Sequence, residues 1–377
     1  MFMLENDRKR LWRDYTQQQL QSPETDRLGP ALGLDLASVQ GLGNEIVADL
    51  DATRFGIGWW TAYPDLDRKT RILLSDHLIA CARAVPTNLI EARIDRLEFD
   101  DAAEEFRKWY ARGYKPGKAF EVKPPRSPWQ ELAPGKAQTH LVGMLRAWGS
   151  ALDCLGSCMV GVAALPTGLV RADSGTAQKA LAKISPGVTV LEDLQTALTA
   201  AEAKAGPPGW RQWLLDMRNT VVHRGRRTAV WLADADATGV TGFSLQLPVS
   251  PEFTDIDAII RAGGTVASTF TAPASAFFDE LARAVEVYTN EVSDVLMDLW
   301  NARRTNPALL EQPTEQWKQE QGVINPAPVF GGFPTLPTPP TPVTSLGLGV
   351  EADLRLKAAA VTDATTNDVR ADPKIWI

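Results

Sequence analysis

The chain has 377 residues, 44% of them hydrophobic and 23% charged, which is enough for one large or two smaller globular domains. The charged N-terminus leads into no apolar segment, and no apolar run approaches the roughly 20 residues of a membrane span, so we expect a cytoplasmic protein without a secretory signal. The net charge of −7 argues against a protein that coats nucleic acid along its length, and three cysteines form no disulfide framework.

Residues 1–68 form an N-terminal segment of uncertain fold. A charged helix is predicted around Glu5–Gln21, whereas the stretch Gly41–Tyr63 is rich in glycine and aromatic residues and has no pattern that assigns it a fold. The helical part of the chain is predicted to begin after this segment, at about residue 69.

The next two predicted helices are separated by a proline. An apolar stripe at helical spacing begins near Arg68 and is expected to stop at Pro86, because proline normally ends or kinks a helix. A second helix is predicted from Asn88 to Arg112, followed by a loop over residues 114–135, which are rich in proline and glycine.

The most regular helical pattern spans Lys136–Ala164. One face is apolar and the opposite face carries only small residues, which indicates a helix packed on both sides. Cys154 and Cys158 lie four residues apart in this helix. No histidine or third cysteine stands nearby in sequence, so both are interpreted as small packing residues.

Two helices and a hairpin follow. Helices are predicted for Thr189–Ala205 and Trp210–Arg224, with Gly225 as the C-terminal stop of the second. Strands are predicted at Thr228–Leu232 and Phe243–Val249, joined by a ten-residue loop.

The loop between these strands begins like a calcium loop at Asp234. Leu245 stands where such a loop needs its glutamate, so a hairpin turn is the better interpretation and no metal site is predicted. A further strand is possible at Thr265–Thr271.

A long helix is predicted for Pro273–Arg304, with an apolar seam at three-four spacing that is typical of a core or dimer helix. Residues 307–342 are proline-rich and are predicted to form a linker, and residues 343–377 a C-terminal tail.

The helix predicted at Trp210–Arg224 carries the candidate functional residues. Its apolar stripe consists of Trp210, Trp213, Leu214, Met217 and Val221. Asn219 and His223 are one turn apart on the opposite face, so His223 is not a core histidine. Arg218 lies at the edge of the stripe, roughly 140° around the helix from His223.

A local excess of positive charge surrounds this helix. Residues 207–227 contain five arginines and one aspartate in an otherwise acidic chain. Arg224, Arg226 and Arg227 are candidates for binding RNA phosphates. The alternative is that these arginines only complement the C-terminal dipole of the helix.

The string Arg218-Asn219-Thr220-Val221-Val222-His223 resembles the signature of the HEPN superfamily. That signature consists of an arginine, a polar residue directly after it, and a histidine four to six residues beyond the arginine. The resemblance covers at most residues 69–306 and centres on 136–306. The resemblance implies a mainly α fold, namely a HEPN-type helical bundle that dimerises. In this chain we expect the bundle to carry a β-hairpin insertion after the motif helix and a proline-rich C-terminal extension. A second match, Arg71 with His77, lacks the polar neighbour because Ile72 follows the arginine.

The motif residues suit metal-independent cleavage of RNA. The RNA supplies its own nucleophile, the 2′-hydroxyl; His223 can act as the base and Arg218 can hold the phosphate. Asn219 would orient the histidine or the phosphate. No cofactor is expected, and by resemblance the partners would be RNA, a second copy of the chain, and an antitoxin or another defence-system protein.

The sequence leaves two other functions open. A helical interaction or scaffold protein would keep the bundle and cut nothing, and the acidic net charge favours it slightly. A nucleotide-binding sensor would use the arginines to hold a small phosphate ligand.

Overall fold

The computed structural model describes residues 24–49, 68–114, 128–169, 172–223, 230–236, 239–251, 253–265, 269–271, 273–311 and Trp317. Over these ranges the fold is mainly helical with one two-stranded sheet, so the predicted mainly-α class is confirmed, while its HEPN type stays a prediction. The helix predicted at Glu5–Gln21 and the tail 343–377 lie outside the described residues.

The helices and strands are numbered in chain order. They are α1 Glu24–Ala31, α2 Ala37–Asp49, α3 Arg68–Gly113, α4 Pro128–Val162, α5 Ser174–Ile184, α6 Thr189–Ala205, α7 Trp210–His223, β1 Val230–Asp236, β2 Gly239–Gln246, α8 Phe253–Arg261 and α9 Ala274–Thr305. A short 3-10 helix, Pro307–Leu309, follows α9.

Helix α3 runs through the proline at which the sequence predicted a stop. It is continuous over 46 residues, with Pro86 inside it, so the prediction of two separate helices was wrong. Proline removes one backbone hydrogen bond and costs a helix interior about 3 kcal/mol. Pro86, Val85 and Leu89 are all buried, and this packing offsets the cost. The Asn88 side chain also donates a 2.8 Å hydrogen bond to the carbonyl of Ala84 in the same turn.

Helix α4 begins eight residues before its predicted start. Residues 128–135 of the predicted loop are therefore helical. Proline is favoured in the first turn of a helix, where its missing N–H would have no partner, which suits Pro128 at the start of α4. All residues from Leu155 to Leu165 are buried, which confirms that this helix is packed on both sides. The predicted positions of α6, α7 and α9 are also confirmed, whereas α1, α2, α5 and α8 were not predicted.

The predicted hairpin is present, but its strands occupy most of the predicted ten-residue loop. Strands β1 and β2 pair antiparallel, with Trp231 opposite Leu245 and a β-bulge at Asp234/Ala235. In place of the predicted strand at 265–271, the described residues of that stretch form one β-bridge, Pro248 to Phe270.

The chain divides into two compact units that alternate along the sequence. The first draws on residues up to Ala37, on Ala84–Leu152 and on Thr196–Val292. The second draws on Ser38–Arg83, on Asp153–Gln195 and on residues from Ser293 onward. The domain boundaries at residues 68 and 306 stay predictions.

An aromatic cluster joins the hairpin to helices in the first unit. Phe106 of α3 lies edge-on to Trp231 of β1 and Phe243 of β2, with ring centroids 5.1 and 5.2 Å apart. Phe99, two turns earlier on α3, packs edge-on against Phe278 of α9. The predicted seam of α9 is thus core here, since Phe278 is fully buried.

The second unit is held by close approaches at small residues and by one buried arginine. Gly43 of α2 lies against Ala82 of α3, and Gly161 of α4 lies against Leu78. Arg303 of α9 is fully buried and donates hydrogen bonds to the carbonyls of Gly161 and Val162 at the end of α4. These bonds satisfy carbonyls that lack donors within their own helix.

Two glycines of α4 offer a matched test of packing. A Cβ atom on Gly156 would lie 2.7 Å from the backbone N and Cα of Ser174, whereas a Cβ on Gly135 would meet nothing within 4 Å. We expect Gly156→Ala to lower the free energy of unfolding by about 1–3 kcal/mol, because backbone cannot move aside cheaply. Gly135→Ala should be neutral or stabilise by up to about 1 kcal/mol. Urea unfolding measures both; equal changes for the two variants would contradict this packing.

Candidate functional site

Helix α7 presents its predicted apolar stripe to the core. Trp210, Leu214, Met217 and Val221 are buried. Trp213 is only half-buried, and its indole N–H donates to the carbonyl of Pro248 at 3.2 Å. The stripe is thus confirmed at four of its five positions, with Trp213 at its edge.

The start of α7 follows from the Gly-Pro-Pro-Gly turn before it. Gly209 has a φ of 86°, which favours glycine, and its carbonyl accepts the first backbone bond of the helix, from Trp213. A Cβ on Gly206 would lie 2.9 Å from the Trp210 indole, so both glycines help to seat this end of the helix.

Arg211 does not belong to a free basic surface. It is buried, its Nε lies 3.0 Å from Glu202 Oε2, and its guanidinium lies over the ring of Tyr288. Its charge is therefore balanced inside the first unit, and the local positive excess predicted from the sequence is smaller on the surface.

Arg218 leans against α4 at a glycine. The side chain is half-buried, and a Cβ on Gly149 would lie 3.1 Å from both its Cγ and its Nε. A larger residue at 149 would push the arginine away, so this contact restricts where the guanidinium can lie.

Asn219 lies on the solvent side of α7, and His223 is the last residue of the helix. Asn219 is exposed and lies away from the buried stripe, as predicted, and His223 follows it by one turn. The side chain of His223 lies outside the described residues, as do Arg224, Arg226 and Arg227.

The three motif residues are therefore carried by one regular helix but do not share one face. The roughly 140° between Arg218 and His223 follows from α7 being continuous between them. Arg218 lies on the side of α4, whereas Asn219 faces solvent. A single copy of the helix thus carries Arg218 and His223 at positions on different sides.

The other two histidines occupy different settings. His140 of α4 makes a 2.9 Å bond from Nδ1 to Asp95 Oδ1 of α3, in a half-buried pair. Gly143 leaves room for this pair, since a Cβ there would lie 2.2 Å from Asp95 Oδ2. We interpret His140 as a structural residue. His77 lies 3.4 Å from the thiol of Cys81 on the same helix.

An aromatic groove that the sequence did not predict lies beside the first half of α7. Its volume is about 640 Å³. Trp213 and Phe277 line it and contact each other edge to face, with 4.8 Å between the ring centroids. Glu280 and Arg283, which also line it, are bonded to each other. It offers a flat apolar ligand an aromatic wall with charge at one edge.

A cluster of three thiols and one histidine is the second feature that the sequence missed. Cys154 and Cys158 of α4 face Cys81 and His77 of α3. The two pairs come from distant parts of the chain, so their spacing carried no signal before the helices were packed.

Searches of protein-family models, of curated proteins and of solved structures find no match to this chain. No helix in the described part of the chain combines the length and apolar character needed to cross a membrane. Over the same ranges, no three His, Cys, Asp or Glu side chains are grouped so as to hold a metal ion.

Proposed function

We propose that the protein is a metal-independent endoribonuclease of the HEPN type, acting as a toxin or as an effector of phage defence. The observation that carries the proposal is the solvent exposure of Asn219 on a helix whose opposite face is buried. Asn219 is thus available to a ligand, and His223 follows it by one turn at the end of the same helix.

Arg218 would bind the scissile phosphate. A guanidinium presents a planar fork of donors that matches two phosphate oxygens, and it stays charged at any physiological pH. The contact with Gly149 supports this role, because it limits the positions of a long side chain before substrate arrives.

His223 would remove the proton of the 2′-hydroxyl, and Asn219 would orient the histidine or the phosphate. The oxygen so activated attacks the adjacent phosphorus, and the bond to the 5′-oxygen of the next nucleotide breaks. That oxygen takes a proton from water and leaves as a hydroxyl, giving a 2′,3′-cyclic phosphate. Arg224, Arg226 and Arg227 would hold flanking phosphates.

The site would be completed by a second copy of the chain. The positions of Arg218 and His223 lie roughly 140° apart around α7, so one active site would take the arginine from one protomer and the histidine from its partner. A homodimer with two equivalent composite sites follows from this arrangement, and a neutralising antitoxin would act by covering them.

The test is incubation of RNA with the full chain in the presence of EDTA. We expect cleavage to continue, with products ending in a 2′,3′-cyclic phosphate that phosphatase alone does not remove. Intact RNA after incubation with a protein of confirmed dimer mass would instead favour the scaffold function. Cleavage that EDTA abolishes would overturn the metal-independent mechanism.

A nucleotide-sensing function is the second candidate, and the aromatic groove favours it. A base could stack on Trp213, with the phosphate directed to the charged rim at Arg283. We expect a nucleoside triphosphate at 100 times its Kd to stabilise the protein by about 2.7 kcal/mol, seen as a rise in Tm that Trp213→Leu removes. An unchanged Tm for the wild-type protein with all four nucleotides would rule this function out.

A further inference from the structure

The second unit contains a buried group of sulfur atoms with a histidine beside it. His77 and Cys81 are one turn apart on α3, and His77 Nε2 lies 3.4 Å from Cys81 Sγ. Cys154 of α4 hydrogen-bonds to Cys81, and Cys158 lies one turn further along α4. None of the three cysteines is in a disulfide.

We propose that Cys81 and Cys154 form a peroxide-reactive pair, in which Cys81 is oxidised first and Cys154 then closes a reversible disulfide between α3 and α4. The pair belongs to the second unit and the motif helix to the first, and the proposal does not depend on RNA cleavage.

The surroundings of Cys81 favour the thiolate. The hydrogen bond from the Cys154 thiol lowers the pKa of Cys81 most, burial opposes it, and His77 lowers it further by its hydrogen bond and its charge, to about 5. Ser157 also lies close, but its hydroxyl has one proton, which it donates to the Ala172 carbonyl at 2.8 Å. The donors to the thiolate are therefore Cys154 and His77.

The other two cysteines keep their protons. The bond to Cys81, burial and the charges of Cys81, Cys158 and Asp153 raise the pKa of Cys154. Burial raises the pKa of Cys158, which is fully buried. The cluster thus holds one nucleophile, one neutral thiol placed to attack it after oxidation, and one inert thiol.

The reaction balances with a hydroperoxide as oxidant. The Cys81 thiolate attacks one peroxide oxygen, the O–O bond breaks, and the departing hydroxide takes a proton from the His77 imidazolium, leaving a sulfenic acid and water. The Cys154 sulfur then attacks the Cys81 sulfur, its proton goes to the leaving hydroxyl, and a second water departs. Two thiols lose two electrons and the peroxide gains them.

Burial restricts which oxidants can reach the pair. Cys81 is 7% exposed, whereas Cys154 is half-buried. Hydrogen peroxide is small enough to enter, while a bulky aromatic disulfide reagent is not. We therefore expect the thiols of the folded protein to react faster with hydrogen peroxide than with the bulky reagent.

The experiment treats the full chain with hydrogen peroxide at pH 7, then denatures it and counts free thiols. We expect the count to fall from three to one, with peptide mass spectrometry showing residues 81 and 154 cross-linked, and recovery with dithiothreitol. The rate should be half-maximal near pH 5, not near the roughly 8.5 of a free thiol, because the thiolate is present above the lowered pKa.

Three variants separate the roles. Cys154→Ala should leave a sulfenic acid at position 81 that dimedone traps, and His77→Gln should slow oxidation and move its midpoint to higher pH. Cys158→Ala, the matched control, should oxidise like the wild-type protein. Unchanged oxidation in Cys81→Ala, a cross-link between a different pair, or thiols that react only after denaturation would each overturn the proposal.

Discussion

Replacing His223 with alanine is expected to lower the rate of RNA cleavage in EDTA by about 10²- to 10⁴-fold. The substitution removes the proposed general base, and general-base catalysis typically contributes that factor. The measurement is single-turnover cleavage of a labelled RNA. His140→Ala is the matched control, because His140 is bonded to Asp95 and lies outside the proposed site, so it should cut at nearly the wild-type rate.

Mixing variants tests whether the site is shared between protomers. Arg218→Ala and His223→Ala proteins should each be inactive alone. After mixing and exchange, half of the dimers would carry one intact composite site of two, so about a quarter of the wild-type activity should return. Full loss in the mixture would contradict a composite site, and equal cleavage by His223→Ala and wild type would remove the histidine from the mechanism.

Arg303→Ala is expected to lower the free energy of unfolding by about 3 kcal/mol. Arg303 is fully buried and donates to the carbonyls of Gly161 and Val162, where the negative end of the α4 dipole lies. Alanine would leave both carbonyls buried without this donor, and hydrogen bonds from a charged group are each worth about 1.5–3 kcal/mol.

Chemical denaturation with urea measures this effect, and the chain offers a matched control. Arg283 of α9 is exposed and bonded to Glu280 three residues earlier, an arrangement worth at most about 1 kcal/mol. Arg283→Ala should therefore unfold within about 0.5 kcal/mol of wild type. If Arg303→Ala unfolds at the same urea concentration as Arg283→Ala, Arg303 does not stabilise the end of α4.

The sequence predicted those helices whose apolar stripe is long and whose ends carry clear signals. Helix α6 stops at a Gly-Pro-Pro-Gly turn and has the bounds that were predicted. Pro86 misled the prediction because its cost to the helix is local, while the burial that offsets it comes from neighbours distant in sequence. Helix α5 buries only Ser174, Ala177 and Leu181, too few for a periodic signal.

Some features of the candidate site could likewise be predicted from the sequence, and others could not. The stripe of α7 and the exposure of Asn219 could be predicted because both depend on one helix alone. The thiol cluster and the aromatic groove could not, because each arises where helices from distant segments meet. The spacing of residues along the chain does not indicate that Cys81 lies beside Cys154, or that Trp213 lies beside Phe277.

The alternation of the two units has a consequence for how a nascent chain acquires its structure. Asp35 bonds to Glu286 across 251 residues, and Arg303 bonds to Gly161 across 142. Neither unit can complete its core until α9 has left the ribosome. At about 5–20 residues per second, translation from Asp35 to Glu286 takes on the order of 10–50 s, during which the apolar faces of α3 and α4 lack their partner. Chains that are truncated before residue 274 should therefore be prone to aggregation and depend on chaperones.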